Sequence, residues 1–164
     1  MAVLTRVNNI DESIVKGKEF ECFVRRHLFT HDDYCMLERT HNYTSDEKEF
    51  VESSKNPDFK FRSRKSGKVF FVEAKFRSVL FNGEFAHKHY QFRRYREINK
   101  ETPVCIIIGV GCQPKSPEQV FLIPVRDINT TYVTLFRSFL NRYQIPLKPM
   151  HKCCKAIDAV VASL

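Results

Sequence analysis

Val104-Cys105-Ile106-Ile107-Ile108-Gly109-Val110-Gly111 is a continuous apolar run, bounded by Pro103 on one side and by Gly and Pro on the other. A run without a polar position has no solvent face, so it reads as a central strand buried on both sides of a sheet. Upstream, Val69 to Phe76 is strand-like, and a helical pattern from about Lys88 to Lys100 lies between the two. Strand, helix and strand make a βαβ unit, hence a parallel pair with a right-handed crossover. A parallel pair needs cover on both faces. The expected class is therefore α/β, a mixed sheet flanked by helices, with one more strand at Gln119 to Val125.

A chain of 164 residues fits one domain with a real core. We expect a core over about 11–125 and a C-terminal helical extension over about 126–164. In that extension Thr131 to Tyr143 patterns as a helix with Tyr132, Leu135, Phe136 and Phe139 inward, ended by Pro146 and Pro149. The last fifteen residues fit a short helix better than a strand. No segment approaches the roughly 20 apolar residues of a membrane span. The N-terminus lacks the apolar run of a signal peptide. The expected compartment is a reducing cytoplasm, with Cys22, Cys35, Cys105, Cys112, Cys153 and Cys154 as thiols.

The segment before the central run reads as a β-hairpin. Phe59 to Arg64 alternates, Lys65-Ser66-Gly67-Lys68 supplies turn chemistry, and Val69 to Phe76 returns. With Ser66-Gly67 as a two-residue turn, Phe61 pairs with Val72, Phe59 with Ala74 and Asp58 with Lys75. That register puts Phe59, Phe61, Phe70, Val72, Ala74 and Phe76 on one face, and Asp58, Glu73 and Lys75 on the other. A slip of one residue would mix the faces. Two carboxylates and an ammonium converging at one end of a hairpin suit a divalent cation with a phosphate. The plainer alternative is an Asp58–Lys75 surface ion pair worth about 0.5 kcal/mol.

Charge is unevenly placed. The net formal charge is +8, and Lys60 to Lys100 alone carries +9, while Asp32 to Glu52 carries −5. The basic excess surrounds the hairpin, where a polyanion would lie. An ordinary solvated lysine surface is the other reading.

Pro57-Asp58 followed by Glu73-Ala74-Lys75, with a helix before the hairpin and a helix-strand pair after it, resembles the PD-(D/E)xK nucleases, the restriction-endonuclease-like superfamily. The likeness runs from about Lys16 to Gly111. It implies a restriction-endonuclease-like mixed sheet flanked by helices. It also implies a nuclease that hydrolyses phosphodiester bonds in DNA with Mg²⁺ or Mn²⁺, held by Asp58, Glu73 and the Ala74 carbonyl, with Lys75 as the catalytic ammonium. Gly17-Lys18-Glu19-Phe20-Glu21 resembles the opening helix of resolvase-like and type IV restriction members, whose Glu helps to hold the metal.

The helix expected from about Asp11 to Phe29 carries an apolar stripe of Ile14, Gly17, Glu21, Val24 and Leu28, widened by Phe20 and Phe23. Glu21 thus points inward, an expensive place for a carboxylate. Glu19 competes but falls about 200° away round the helix. Glu21 could also simply pair with Arg25 at i+4. In the later helix Gln91, Tyr95 and Ile98 share one face. In the superfamily a Gln or Lys on this helix reaches the site, a place that Gln91 matches, with Lys88 one turn earlier. Arg93, Arg94 and Arg96 suit phosphate contacts that position a duplex without reading it, joined by Lys88 and Arg77.

Two further readings stand beside the nuclease. One is a non-cleaving nucleic-acid-binding module or subunit on the same fold. The intact Asp58, Glu73 and Lys75 set argues against lost cleavage but not against a required partner. The other is a zinc-binding protein using Cys105, Cys112, His151, Cys153 and Cys154, which lack paired Cys-x-x-Cys spacing. His87 and His89 are expected at the surface. A chain this short has little room for a separate target-recognition domain, so structure-directed or partner-directed cleavage is expected, and a two-fold dimer suits a duplex cutter.

Overall fold

The computed structural model describes residues 2–40, 55–129 and 134–164, with side chains from Glu12 onward. Its main sheet comprises β1 (Tyr34–Arg39), β2 (Phe59–Ser63), β3 (Val69–Arg77), β5 (Val104–Val110), β6 (Gln119–Pro124) and β8 (Gln144–Ile145). Their order is β1-β2-β3-β5-β6-β8, while β4 (Phe85–Ala86) and β7 (Thr134–Leu135) form a separate ribbon. The expected parallel pair is β3 with β5, joined through α2 (His89–Asn99), and the other neighbours in the sheet are antiparallel. All of β5 is buried.

Because β5 has no solvent face, its side chains divide between two cores. Cys105 and Ile107 pack with α1 (Ala2–Phe23) and α4 (Met150–Ser163) through Phe20, Val24, Ile157 and Val161. Val104, Ile106, Ile108 and Val110 pack on the other face with Phe92 and Tyr95 of α2 and Leu140 of α3 (Arg137–Leu140). Among the described residues no helix is long and apolar enough to cross a membrane.

The hairpin differs from expectation by two residues. Phe59 pairs with Val72 and Phe61 with Phe70, so the loop is longer than Ser66-Gly67. Gly67 takes φ +72° and donates its N–H to the Ser63 carbonyl at 2.9 Å, while the Ser66 N–H bonds the Ser63 hydroxyl at 3.1 Å. Side chains alternate with period two, so a two-residue shift preserves the faces. Phe59, Phe61, Phe70, Val72, Ala74 and Phe76 all line the α1 side as the pattern required.

Three other expectations change. The first helix is α-helical over Ala2–Phe23 and continues as a π-helical turn over Val24–Leu28. Ile14 is exposed because the early part of α1 stands off the sheet, across an open cleft of about 420 Å³ lined by Lys16, Phe76 and Arg77. Of the helix expected over Thr131 to Tyr143, residues 131–133 lie outside the described residues. The remainder forms β7, α3 and a 3-10 turn, because Leu135 pairs with Phe85 and Phe136 faces solvent. Beyond residue 126 the chain also returns to the main sheet as β8 before α4.

At Gly109 the Phe20 ring of α1 packs directly onto the backbone of β5. A Cβ there would lie 2.2 Å from Phe20 Cε2. Gly109→Ala should therefore cost about 1–3 kcal/mol of stability by overpacking. In a Phe20→Leu background the same change should cost distinctly less, because the clashing ring has gone. Urea unfolding of the four proteins in that cycle measures the difference, and strict additivity would show that the ring is not what Gly109 accommodates.

Candidate active site

Strand β2 begins opposite Val72, but β3 runs on through Arg77. From Glu73 onward β3 therefore has β5 on one side and an open notch on the other. Ala74 N–H points into that notch, where an unpaired backbone donor would be costly. The Asp58 carboxylate accepts it, with Oδ2 at 2.8 Å. A strand residue sends its N–H and C=O to the same side, so the Ala74 carbonyl opens on the notch too. Asp58 is fixed from behind: its carbonyl accepts the Thr40 N–H at 2.9 Å, and the Thr40 hydroxyl bonds the Pro57 carbonyl at 2.9 Å.

The two-residue shift extends to set Asp58 opposite Glu73 in place of Lys75. Asp58 is 6% exposed and Glu73 4%, so this is an interior pair of like charges. Lys75 forms its ion pair with Glu73, and the Tyr95 hydroxyl donates to Glu73 from α2. The surface ion pair between Asp58 and Lys75 is thus not what forms. Burial drives the Asp58 carboxyl up to about 8; Glu73 and Glu21 push the same way, and the Ala74 N–H and Lys75 oppose. Burial first, then Glu73, raises the Tyr95 phenol and keeps it a donor.

Glu21 reaches this pair from the α1 face, close enough for its charge to act on both Asp58 and Glu73. It bonds Arg39 at 3.5 Å; the i+4 pair with Arg25 does not form. Burial raises the Glu21 carboxyl, while Arg39 pulls it down. Glu19 turns elsewhere, to Lys115 at 3.1 Å. The helix phase inferred from the stripe therefore holds where α1 meets the sheet.

Arg39 was invisible to pattern reading because β1 itself was. In β1, Met36 pairs with Phe61 and Arg39 with Phe59, so two residues, Leu37 and Glu38, stand against the single Lys60, with a bulge between Met36 and Glu38. Without the extra residue Arg39 would face away from Phe59. The bulge re-aims it over the Phe59 ring, 5.8 Å from its centroid, and onto Glu21. It sends Glu38 to the opposite side, where it pairs with Lys60 at 2.9 Å. Tyr95, placed by its spacing on the Gln91 face, is the other participant whose contact was not foreseen.

Several expected residues stand apart from the carboxylates. Gln91 is half-buried one turn before Tyr95, and among the described residues its side chain makes no hydrogen bond. Lys88 and Arg93 are exposed. Arg94 lies over the Tyr95 ring at 5.5 Å. Arg96 lies over Phe92 at 5.9 Å and bonds the Ile128 carbonyl at 3.3 Å. Arg77 covers the Phe85 ring at 4.9 Å and donates to the Phe76 carbonyl; its guanidinium is lowered by burial. His87 packs half-buried on Phe92 with centroids 4.8 Å apart, against the expectation of exposure, whereas His89 is exposed.

Among the described residues no group of three or more His, Cys, Asp or Glu side chains forms a ready-made metal cage. The residues of the zinc reading, Cys105, Cys112, His151, Cys153 and Cys154, are thus not gathered into one such group, with Cys105 and Cys153 buried in the core and Cys112 exposed. For the acidic site it means that two carboxylates meet, with Glu21 held back by Arg39.

No family model and no curated protein sequence matches this chain. Among solved structures it is similar to Hjc, a Holliday junction resolvase from the archaeal hyperthermophile Archaeoglobus fulgidus, with a TM-score of 0.54. Identity is 13%, over 77% of this chain and 88% of that one. The likeness is one of architecture: a six-stranded mixed sheet flanked by helices, which gives this chain a restriction-endonuclease-like fold of the resolvase kind.

Proposed function

We propose that this chain is a divalent-metal-dependent nuclease that hydrolyses phosphodiester bonds in DNA. It would be an endonuclease whose cleavage is directed by substrate structure or by a partner. The observation that carries the reading is the notch beside β3, where Asp58 and Glu73 lie buried together with the Ala74 carbonyl and the Lys75 ammonium. These are hard oxygen donors, too few to enclose an ion. Mg²⁺ and Mn²⁺ sites are built that way, filling their shell with waters and substrate phosphate. Burial, and then the nearby Glu73 and Glu21 charges, raises the Asp58 carboxyl, and a cation would offset both. The fold likeness to a Holliday junction resolvase supports DNA as the substrate and branch structure as a determinant of cleavage.

Asp58, Glu73 and the Ala74 carbonyl would hold the cation. When bound, it polarises the scissile phosphate and lowers the pKa of the attacking water. Tyr95 fixes the orientation of Glu73 by its hydrogen bond. Lys75, relieved of Glu73, is placed to offset charge on the phosphate oxygens or to orient the water. Glu21 supplies further negative charge behind the site, tuned by Arg39. Arg93 and Lys88, exposed on or beside α2, remain candidates for phosphate contact.

Asp58→Ala and Glu73→Ala should each abolish cleavage of branched or duplex DNA in Mg²⁺ or Mn²⁺. Lys75→Ala should slow it at least about a hundredfold. Wild-type rates from any one of them, or cleavage surviving excess EDTA, would remove the assignment, provided that circular dichroism shows folded protein. Glu21→Gln should reduce the rate or raise the metal requirement, whereas Glu19→Gln should do little. The opposite ranking would place the functional carboxylate on the other side of α1.

Metal binding must also displace a proton. With Asp58 titrating at about 8, Mn²⁺ affinity by calorimetry should climb roughly tenfold per pH unit below that point and level off above it. Asp58→Asn should flatten this dependence. The sign for folding follows: the folded state keeps a proton that the unfolded carboxyl releases near 3.8. The Asp58 contribution to metal-free stability therefore falls as pH rises from about 4 to about 8. Melting in EDTA across that range, wild type against Asp58→Asn, reads it directly.

A further inference from the structure

The π-helical turn Val24–Leu28 faces the inner side of edge strand β1 across a cavity of about 330 Å³. Arg25, Arg26, His31 and Met36 line it, over an aromatic floor of Phe29, Tyr34 and Phe61. π-Helical turns recur at functional sites because they displace side chains from the α-helical register. At one end Arg64 joins the cluster, donating Nε to the His31 carbonyl at 2.8 Å, with a guanidinium nitrogen 3.4 Å from His31 Nε2. At the other end Arg39, turned to this face by the bulge, leads to Glu21 and the notch.

The arginines here differ from those of α2. Arg94 and Arg96 lie on aromatic rings, and Arg96 bonds a backbone carbonyl. Among the described residues Arg25 and Arg26 form no ion pair. The nearest acid in sequence is Glu21, which pairs with Arg39, and on the other side Asp33 accepts the Thr30 hydroxyl at 3.2 Å. Guanidinium stems on apolar surface with their heads free are suited to an anion passing along the groove. The cations follow one another along α1 and β1, which fits a chain of phosphates better than a single small anion. From Arg39 to Met36 is about 10 Å along the strand, so the pocket lies within a few nucleotides of the site.

We propose that the groove between the π-helical turn of α1 and strand β1 binds the phosphodiester backbone of a nucleic-acid strand leading away from the Asp58–Glu73 site. Arg25 and Arg26 are its principal contacts. The inference rests on the nuclease reading and specifies where the substrate runs. It moves the main backbone contact from α2 to α1.

The test is binding without cleavage: fluorescence anisotropy of labelled single-stranded, duplex and four-way-branched DNA in EDTA, titrated with salt. Each phosphate contact contributes about −0.9 to the log–log salt slope. Arg25→Ala/Arg26→Ala should flatten the slope by about 2 and weaken binding at least tenfold. Met36→Glu, which adds a negative charge from the opposite wall, should also weaken binding, while Met36→Gln stays near wild type. If the double variant melts early, the exposed single change Arg26→Ala should still flatten the slope by about 1. A wild-type slope in the Arg25 and Arg26 variants, or a flattened slope only in Lys88→Ala/Arg93→Ala, would overturn the groove and leave the nuclease reading standing. Wild-type protein that binds none of the three DNA forms, either in EDTA or with Ca²⁺ present, would overturn both.

Discussion

Strand β2 starts one residue after Asp58, while β3 continues to Arg77, and most of the chemistry depends on that difference in length. It leaves the edge of β3 unpaired from Glu73 onward, with an amide and a carbonyl of Ala74 directed into a gap. The Asp58 carboxylate occupies the gap and bonds the amide. Groups from opposite faces of the sheet can meet there, as they cannot where strands are paired. Glu73, Lys75 and Tyr95 come from the α2 side, and Glu21 comes from the α1 side.

That arrangement costs stability. Two adjacent buried carboxylates share one ammonium and a few hydrogen bonds, and each buried ion carries a desolvation penalty of several kcal/mol before compensation. The raised Asp58 carboxyl relieves part of it by keeping a proton. The surroundings are stiff enough to hold the groups together regardless. β5 is buried along its whole length, and the Phe20 ring seals α1 onto Gly109.

Much of this was legible because burial leaves a period in the sequence. The unbroken run of β5 implied a covered parallel pair, and the alternation of Phe59 to Phe76 divided the hairpin faces correctly. Those faces survived a wrong turn length because the error was an even number of residues. Glu21 was legible from the stripe nearest the sheet, although Ile14 on the same stripe is exposed. What pattern could not supply was the irregular part. The bulge in β1 breaks the period of two, so Tyr34–Arg39 does not read as a strand and Arg39 has no evident face. The Phe85–Leu135 pairing outweighs a helical pattern that is local to Thr131–Tyr143. The arginines of α2 look free in sequence, and only packing shows two of them spread on aromatic rings.

The charge distribution sets the order in which such a site can act. A chain of net charge +8 draws a polyanion from a distance, but the notch itself is a pair of carboxylates that repel a phosphate at contact. Protonation of Asp58 removes part of that repulsion without providing a charge that could assist reaction. Under the proposed function a divalent cation would reverse its sign, so each ligand that entered would improve the site for the other. Such coupling is reciprocal in binding free energy: whatever factor the cation adds to nucleic-acid affinity, nucleic acid must add to cation affinity. Lys75 belongs to the same balance. It is paired with Glu73, and under the proposed function it would become available to a phosphate as that carboxylate turned to the ion. On the proposed reading the groove along α1 and β1 would complete the division of labour, with distant guanidinium groups holding the strand and the buried pair reserved for one phosphate.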